Sequence, residues 1–332
     1  MANGDWMLLI FCGLSVPISI FMWLGNVAFS KFWSYDYEEP LVISPTRWLF
    51  STLAPLALMT IALRRRSVSK SGAALGVVVA FTLSIASHPF FASLVVFFFS
   101  SSRATKFRAQ LKRRFEGDFK EGEGQRNWVQ VLCNGGMATQ LALLYLIDCG
   151  SGERAIDFAK EYRSSWLSIA VMSSFACCNG DTWSSELGSV LSTRDPISII
   201  SWRRVPRGTN GGISLVGVVV SLLGGLLVGF AYFVTVRYTV EAKMLLVSPP
   251  QWPIILFGGI AGLCGSLLDS VLGGLLQFSG INEKGKIVDA PGKGVRHVSG
   301  LRILDNHSVN LISTIVIGVT MPLLALKFWP VR

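Results

Sequence analysis

Charge is scarce in this chain. Of its 332 residues, only 15% are Asp, Glu, Lys or Arg, which is low for a soluble protein. Long polar stretches are missing too. No segment between apolar runs exceeds about 40 residues, so no separate soluble domain is expected. Six cysteines are present, but none has C-x-x-C spacing, which leaves no zinc site or disulfide framework. They read as small buried thiols. No glycine-rich turn leads into Gly-Lys-Ser/Thr, which excludes a P-loop. The run from Trp6 has no basic leader and no small-residue cleavage site, so it reads as a first span and not a removed signal. No KDEL-type retrieval signal is present.

What fills the chain is apolar residues, 51% of the total. They gather in runs of about 16–25 residues, long enough for membrane helices. Nine spans are expected, near 6–30, 47–63, 72–87, 89–102, 128–148, 164–179, 212–236, 253–277 and 308–328. The predicted fold class is all-α: a polytopic integral membrane helical bundle, one transmembrane domain over 1–332. Spans 72–87 and 89–102 are short and meet at Ser87-His88-Pro89. They read as two tilted helices or one re-entrant hairpin. Gly225-x-x-x-Gly229 and Gly258-x-x-x-Gly262 lie inside two spans, where small residues let helices approach closely.

The basic residues orient the chain. With the N-terminus in the cytosol, segments 64–70, 103–127, 180–211 and 279–307 hold 21 of the 30 Lys and Arg. That is the positive-inside bias, and it puts the C-terminus on the lumenal side. The expected location is an endomembrane such as the endoplasmic reticulum. In 103–127, Phe107, Leu111, Phe115 and Phe119 recur every four residues among basic ones. This predicts an amphipathic helix lying on an anionic cytosolic leaflet. Arg103 and Lys106, nearest the membrane, are candidates to hold a phosphate.

Four polar clusters fall on that same face. The first is NGDTWSSELG, from Asn179 to Gly188, with Asp181 and Glu186 at the end of an apolar run. Carboxylates there are costly unless they bind or pair with something. On an α-helix their spacing of five places them about 140° apart. The second is VPRGTNGGIS, from Val205 to Ser214. Its Gly208, Gly211 and Gly212 allow a tight turn, and free N–H groups at a helix start, with Arg207, make an anion site. Thr209, Asn210 and Ser214 belong to the same segment. The third is Asp269-Ser270, a carboxylate within a span. The fourth is Asp305-Asn306 followed by Asn310, which opens the last span; a helix N-cap also accounts for Asp305 or Asn306. Lys293 and Arg296, in the loop before it, suit a polyphosphate or simply the positive-inside bias. Carboxylates hold Mg²⁺, while glycine-rich backbone and Arg or Lys hold phosphates. The set suits phosphoryl or nucleotidyl transfer to a lipid head. A secondary transporter carries similar parts.

These clusters, in this order, resemble the transmembrane protein 19 family, over roughly residues 70–328. That family is similar to the plant phytyl-phosphate kinase of the vitamin E pathway. The kinase pattern D-T-x-S-S-E-x-G is matched in full by Asp181 to Gly188. Its V-P-R-G-T-E-G-x-x-S-x-E-G-T is matched from Val205, except that Asn210 and Val216 replace the two Glu. Asp269-Ser270 stands for its E-S-x-x-G, and Asp305-Asn306 with Asn310 for its N-D-x-x-N. The resemblance implies phosphorylation of an isoprenoid monophosphate by CTP or another nucleoside triphosphate. It implies Asp181, Glu186 and Asp269 as catalytic residues and Mg²⁺ ligands. Arg207 and the Gly208–Gly212 backbone would bind donor phosphates, and Asp305, Asn306 and Asn310 the acceptor. The implied partners are a membrane lipid, a prenyl-phosphate-like substrate and a nucleoside triphosphate, with no nucleic acid. The alternatives are a transporter or scramblase of phosphorylated lipids, or a non-catalytic family member.

Overall fold

A computed structural model of the chain describes residues 3–33, 42–107 and 125–330. Five of its long helices begin where a capping side chain meets an apolar run. In chain order the helices of the bundle are α1 (Asn3–Trp33), α2 (Pro45–Arg64), α3 (Lys70–Ala86), α4 (His88–Lys106), α5 (Trp128–Cys149), α6 (Tyr162–Trp183), α7 (Leu215–Thr239), α9 (Pro253–Leu276) and α10 (Asn306–Phe328), with the short α8 (Ala242–Val247) before α9. Ser44, Ser69, Ser214 and Asp305 each accept a hydrogen bond from a first-turn N–H. Asn127 and Gln130 form a reciprocal capping box at the start of α5. Such caps satisfy donors that a helix start leaves open.

Six of these helices are long and apolar enough to cross a membrane: α1 (from Gly13), α2, α5, α7, α9 and α10. The chain is thus a polytopic helical membrane protein. α6 is too rich in serine for that group, and its position explains why. It packs against α4, α5, α7, α9 and α10, and nearly every residue from Ser164 to Gly180 is buried. Hydroxyls are tolerated there because neighbouring helices, not lipid, surround them.

The α3–α4 pair is not a re-entrant hairpin. Ser69 N–H, before α3, donates to the Arg126 carbonyl at 3.0 Å, just before α5. At the other end Gly152 N–H, just after α5, donates to the Ala86 carbonyl at 3.0 Å. α3 therefore runs parallel to the whole of α5, and α4 returns along it. The same contacts define two faces. One carries the ends of α2, α4, α6 and α9 and the starts of α3, α5, α7 and α10. The opposite face carries Arg47, His88, the 150–161 loop and Gln251, whose side chain is paired with the Ile156 backbone.

The bundle is tied by glycines. A Cβ on Gly258 would lie 2.7 Å from the Gly225 carbonyl oxygen, and one on Gly262 would lie 2.7 Å from Gly225 Cα. One on Gly180 of α6 would lie 2.6 Å from Gly262 Cα. Backbones of α6, α7 and α9 thus touch directly, as the two G-x-x-x-G motifs predict.

The all-α expectation holds for the bundle but not for the loops on the first face. There β1 (Ile197–Ser198) pairs antiparallel with β2 (Gly212–Ile213). A second small sheet has the order β4-β3-β5, from β3 (Ser279–Ile281), β4 (Ile287–Val288) and β5 (Arg296–Ser299). The span expected from 212 therefore begins as helix only at Leu215. Most of the amphipathic helix expected over 103–127 lies outside the described residues; Arg103 and Lys106 form the last turn of α4. The described cysteines, Cys133, Cys149, Cys177, Cys178 and Cys264, are all free.

Candidate functional site

At the first face the helix ends and small sheets enclose a cavity of about 730 Å³. Asp181, Glu186 and Asp269 all line it, together with Arg207, the Gly208–Gly212 turn, Ser214, Lys106, Asn306 and Asn310. Segments far apart in the chain meet there because alternate helices end on the same side.

Asp181 sits on the last turn of α6, where the backbone contact at Gly180 fixes it. The preceding Asn179 is fully buried and structural. Its amide donates to the Gly224 carbonyl at 2.8 Å, and its oxygen accepts from Ser100 Oγ at 2.7 Å. After Trp183 the helix widens into a π-helical turn, Ser184–Gly188, before a last stretch to Leu191. A π-turn closes i→i+5 hydrogen bonds, so the angular spacing of a regular α-helix does not carry through this segment. Asp181 and Glu186 both face the cavity and repel one another, and Asp269 and Asp181 do likewise. Asn310, with its amide nitrogen turned toward acceptors, donates to Asp269 Oδ2 at 3.1 Å and to the Asn306 carbonyl at 3.0 Å.

The glycine-rich segment forms the opposite wall. Gly208 and Gly211 have φ of 87° and 80°, a region that favours glycine. At Gly211 a Cβ would also lie 2.5 Å from Gly274 Cα, so this turn presses directly on α9. Arg207 Nε stands 3.5 Å from Asp195 Oδ1. Asn210 N–H donates to Ser279 Oγ at 3.0 Å. Its amide lies 3.4 Å from Asp289 Oδ1, another cavity residue. A carboxylate is therefore present beside position 210, contributed by the sheet loop. Val216 is not among the described lining residues.

Four expected phosphate ligands are placed elsewhere. Arg103 is exposed and off the cavity, as are Lys293 and Arg296 on the β4–β5 loop and at the start of β5. Asp305 is the N-cap of α10. Hydrogen bonds from Ser308 hold its carboxyl below the usual range. Lys106 does line the cavity, but its Nζ donates to the Arg65 carbonyl at 2.7 Å.

Sequence reasoning missed Arg126, Gln130, Asn134, Arg66, Arg194 and Asp289, all of them cavity residues. Arg126 is the most firmly held. Its N–H donates to the Ser67 carbonyl at 3.1 Å, and its own carbonyl accepts from Ser69. Its Nη2 donates to Ser101 Oγ at 2.7 Å, and its guanidinium lies 5.1 Å from the Phe97 ring centroid. Burial pulls its pKa down to about 10, against the raising influence of Cys178 and Glu186, so it stays charged at neutral pH.

Among the described residues no three His, Cys, Asp or Glu side chains converge tightly enough to hold a metal by themselves. The expected Asp181–Glu186–Asp269 cage is therefore not present as a closed site. Oxygen donors nonetheless surround the mutually repelling carboxylates. Mg²⁺ is commonly held by one or two carboxylates with phosphate oxygens and water as the other ligands. The residues present fit that open kind of site.

Fold and cavity together define a polytopic membrane protein with an acid- and base-lined chamber at one end of its bundle. The chain belongs to the family of integral membrane protein DUF92, whose model matches residues 53–318. The resemblance to the transmembrane protein 19 family is thereby borne out. Protein PGR of Arabidopsis thaliana is 39% identical over 277 residues, covering 81% of this chain and 93% of that protein. An uncharacterized membrane protein of Methanocaldococcus jannaschii is 33% identical over 47% of this chain and 50% of its own length. One from Synechocystis sp. is 30% identical over 55% and 62%. No solved structure is significantly similar.

Proposed function

We propose that this protein transfers a phosphoryl group from a nucleoside triphosphate, with CTP the first candidate, to a prenyl-type lipid monophosphate. One observation carries the reading: Asp181, Glu186 and Asp269 share a cavity with Arg126, Arg207 and the Gly208–Gly212 turn. Phosphoryl transfer needs positioning and charge neutralisation more than covalent chemistry. In this reading Arg207 and the glycine-rich backbone orient the donor phosphates. Asn310 holds the Asp269 carboxylate in place, and Asn306 and Asn310 line the acceptor side. One or two of the carboxylates Asp181, Glu186 and Asp269 would hold Mg²⁺ together with phosphate oxygens and water, and the ion would supply charge neutralisation there. In this reading the bias of Lys and Arg turns the chamber toward the cytosol, where nucleoside triphosphates are available.

A second reading is transport or scrambling of a phosphorylated lipid. It is favoured by Asn210 and Val216 standing where the kinase pattern has acids. The two separate in one experiment on purified protein in lipid nanodiscs, given Mg²⁺, prenyl monophosphate and each nucleoside triphosphate in turn. Diphosphate should form, and Asp181→Asn should lower its rate at least about 100-fold. No diphosphate with any nucleotide, together with lipid translocation in vesicles, would replace the first reading by the second.

A further inference from the structure

A second, smaller cavity of about 40 Å³ lies against the polar chamber. Leu58 and Met59 of α2, Gly76 and Val79 of α3, Leu94, Phe97 and Phe98 of α4, and Val131 and Gly135 of α5 wall it. These surfaces are apolar. The two cavities share three residues, Arg126, Gln130 and Asn134. Polar chamber and apolar crevice therefore adjoin, with Arg126 in the wall they share.

We propose that this crevice receives the head-proximal carbons of the apolar chain of a phosphate-headed amphiphile, and that Arg126 in the shared wall holds the phosphate. The proposal rests on the function proposed above and adds where the lipid lies. Size limits the occupant. One water-sized probe needs about 10–15 Å³, so the crevice admits only a few such spheres. It has room for the first few carbons of one slender chain and not for a pair of acyl chains. Charge supports the same occupant. Arg126 forms no ion pair among the described residues. Its backbone and Nη2 are already pinned by Ser67, Ser69 and Ser101. A preset guanidinium is suited to a phosphate, through charge-assisted hydrogen bonds.

Photolabelling tests the proposal without requiring turnover. The probe is a hexadecylphosphonate with a diazirine a few carbons from the phosphonate, in phosphatidylcholine vesicles holding the full chain. Adducts are expected on Val79, Leu94 and Val131. Gly135→Leu should fill the crevice and cut them at least about fivefold, since each buried methylene contributes to binding. Arg126→Ala should cut them about tenfold, and Arg126→Lys less, because charge persists without the fork. Should Gly135→Leu not fold, Leu94→Ala widens the crevice and is expected to increase labelling by a branched-chain probe. Adducts spread over outward side chains such as Phe230 and Leu323 would overturn the proposal. So would labelling unchanged by both the filling and the widening substitution. Crevice labelling without turnover leaves the proposal standing and removes the kinase reading; turnover without crevice labelling does the reverse.

Discussion

Glu153, on the face opposite the chamber, is the residue whose loss the structure prices most directly. Arg47 Nη2 donates to both of its carboxylate oxygens at 2.6 Å. The backbone N–H of His88 donates to Oε1 at 3.0 Å, and the His88 ring nitrogen lies 2.7 Å away. One side chain therefore joins the start of α2, the α3–α4 junction and the α5–α6 loop. Burial alone would push its carboxyl up, but the His88 and Arg47 hydrogen bonds outweigh that and bring it from 4.5 to about 2. At 11% exposure solvent screens little of this. The downward shift corresponds to about 3 kcal/mol at neutral pH. The carboxylate is depressed in the folded state, so this stability is complete above pH 4.5 and is lost as pH falls toward 2. Glu153→Gln should remove it at every pH and leave Arg47 buried beside a neutral partner. For a chain of this size that is about 4 °C in melting temperature. The assay is scanning fluorimetry of detergent-purified protein from pH 7 to pH 3. Wild type should lose stability below about pH 4.5, and the variant should start lower and show a shallower acid slope. Equal melting temperatures at pH 7, or equal acid slopes, would refute the reasoning.

Two further outcomes follow from the chamber and its supports. Gly262→Val sets a branched side chain against the α7 backbone, and should destabilise the protein by at least about 2 kcal/mol, read as a lower detergent melting temperature. Asn210→Glu restores the acid of the kinase pattern but faces it toward Asp289; transfer should fall, and Asp289→Asn in the same chain should recover it, measured as kcat/KM.

Six of the nine expected spans were legible as helices long and apolar enough to cross a membrane, because apolar runs of that length have few other uses in a protein. Asp181 and Asp269 were legible for the converse reason, as carboxylates stranded in such runs. Arg126 was not, because its surroundings come from three distant segments: the α2–α3 link, α4 and the start of α5. Nothing in their spacing marks the convergence. Lys293 and Arg296 misled in the other direction. Their composition suited phosphates or the positive-inside bias alike, and the small sheet leaves them exposed and off the chamber. The π-turn at Ser184–Gly188 also escaped, since a one-residue change in helical period has no compositional mark. Asp289 was invisible for a similar reason: it reaches Asn210 only through the β3–β4 hairpin.

The glycine contacts beneath Asp181 have a consequence for how this protein can diversify. Added carbon at 180, 225, 258 or 262 meets main chain and not a side chain that could swing aside. The acid side of the chamber is therefore closed to incremental change. The α2–α5 side is built of interlocking side chains such as Met59, Val79 and Leu94, which can be exchanged one at a time. New substrate preferences would arise on that side, by resizing a slender chain's berth, while the acidic floor stays as it is.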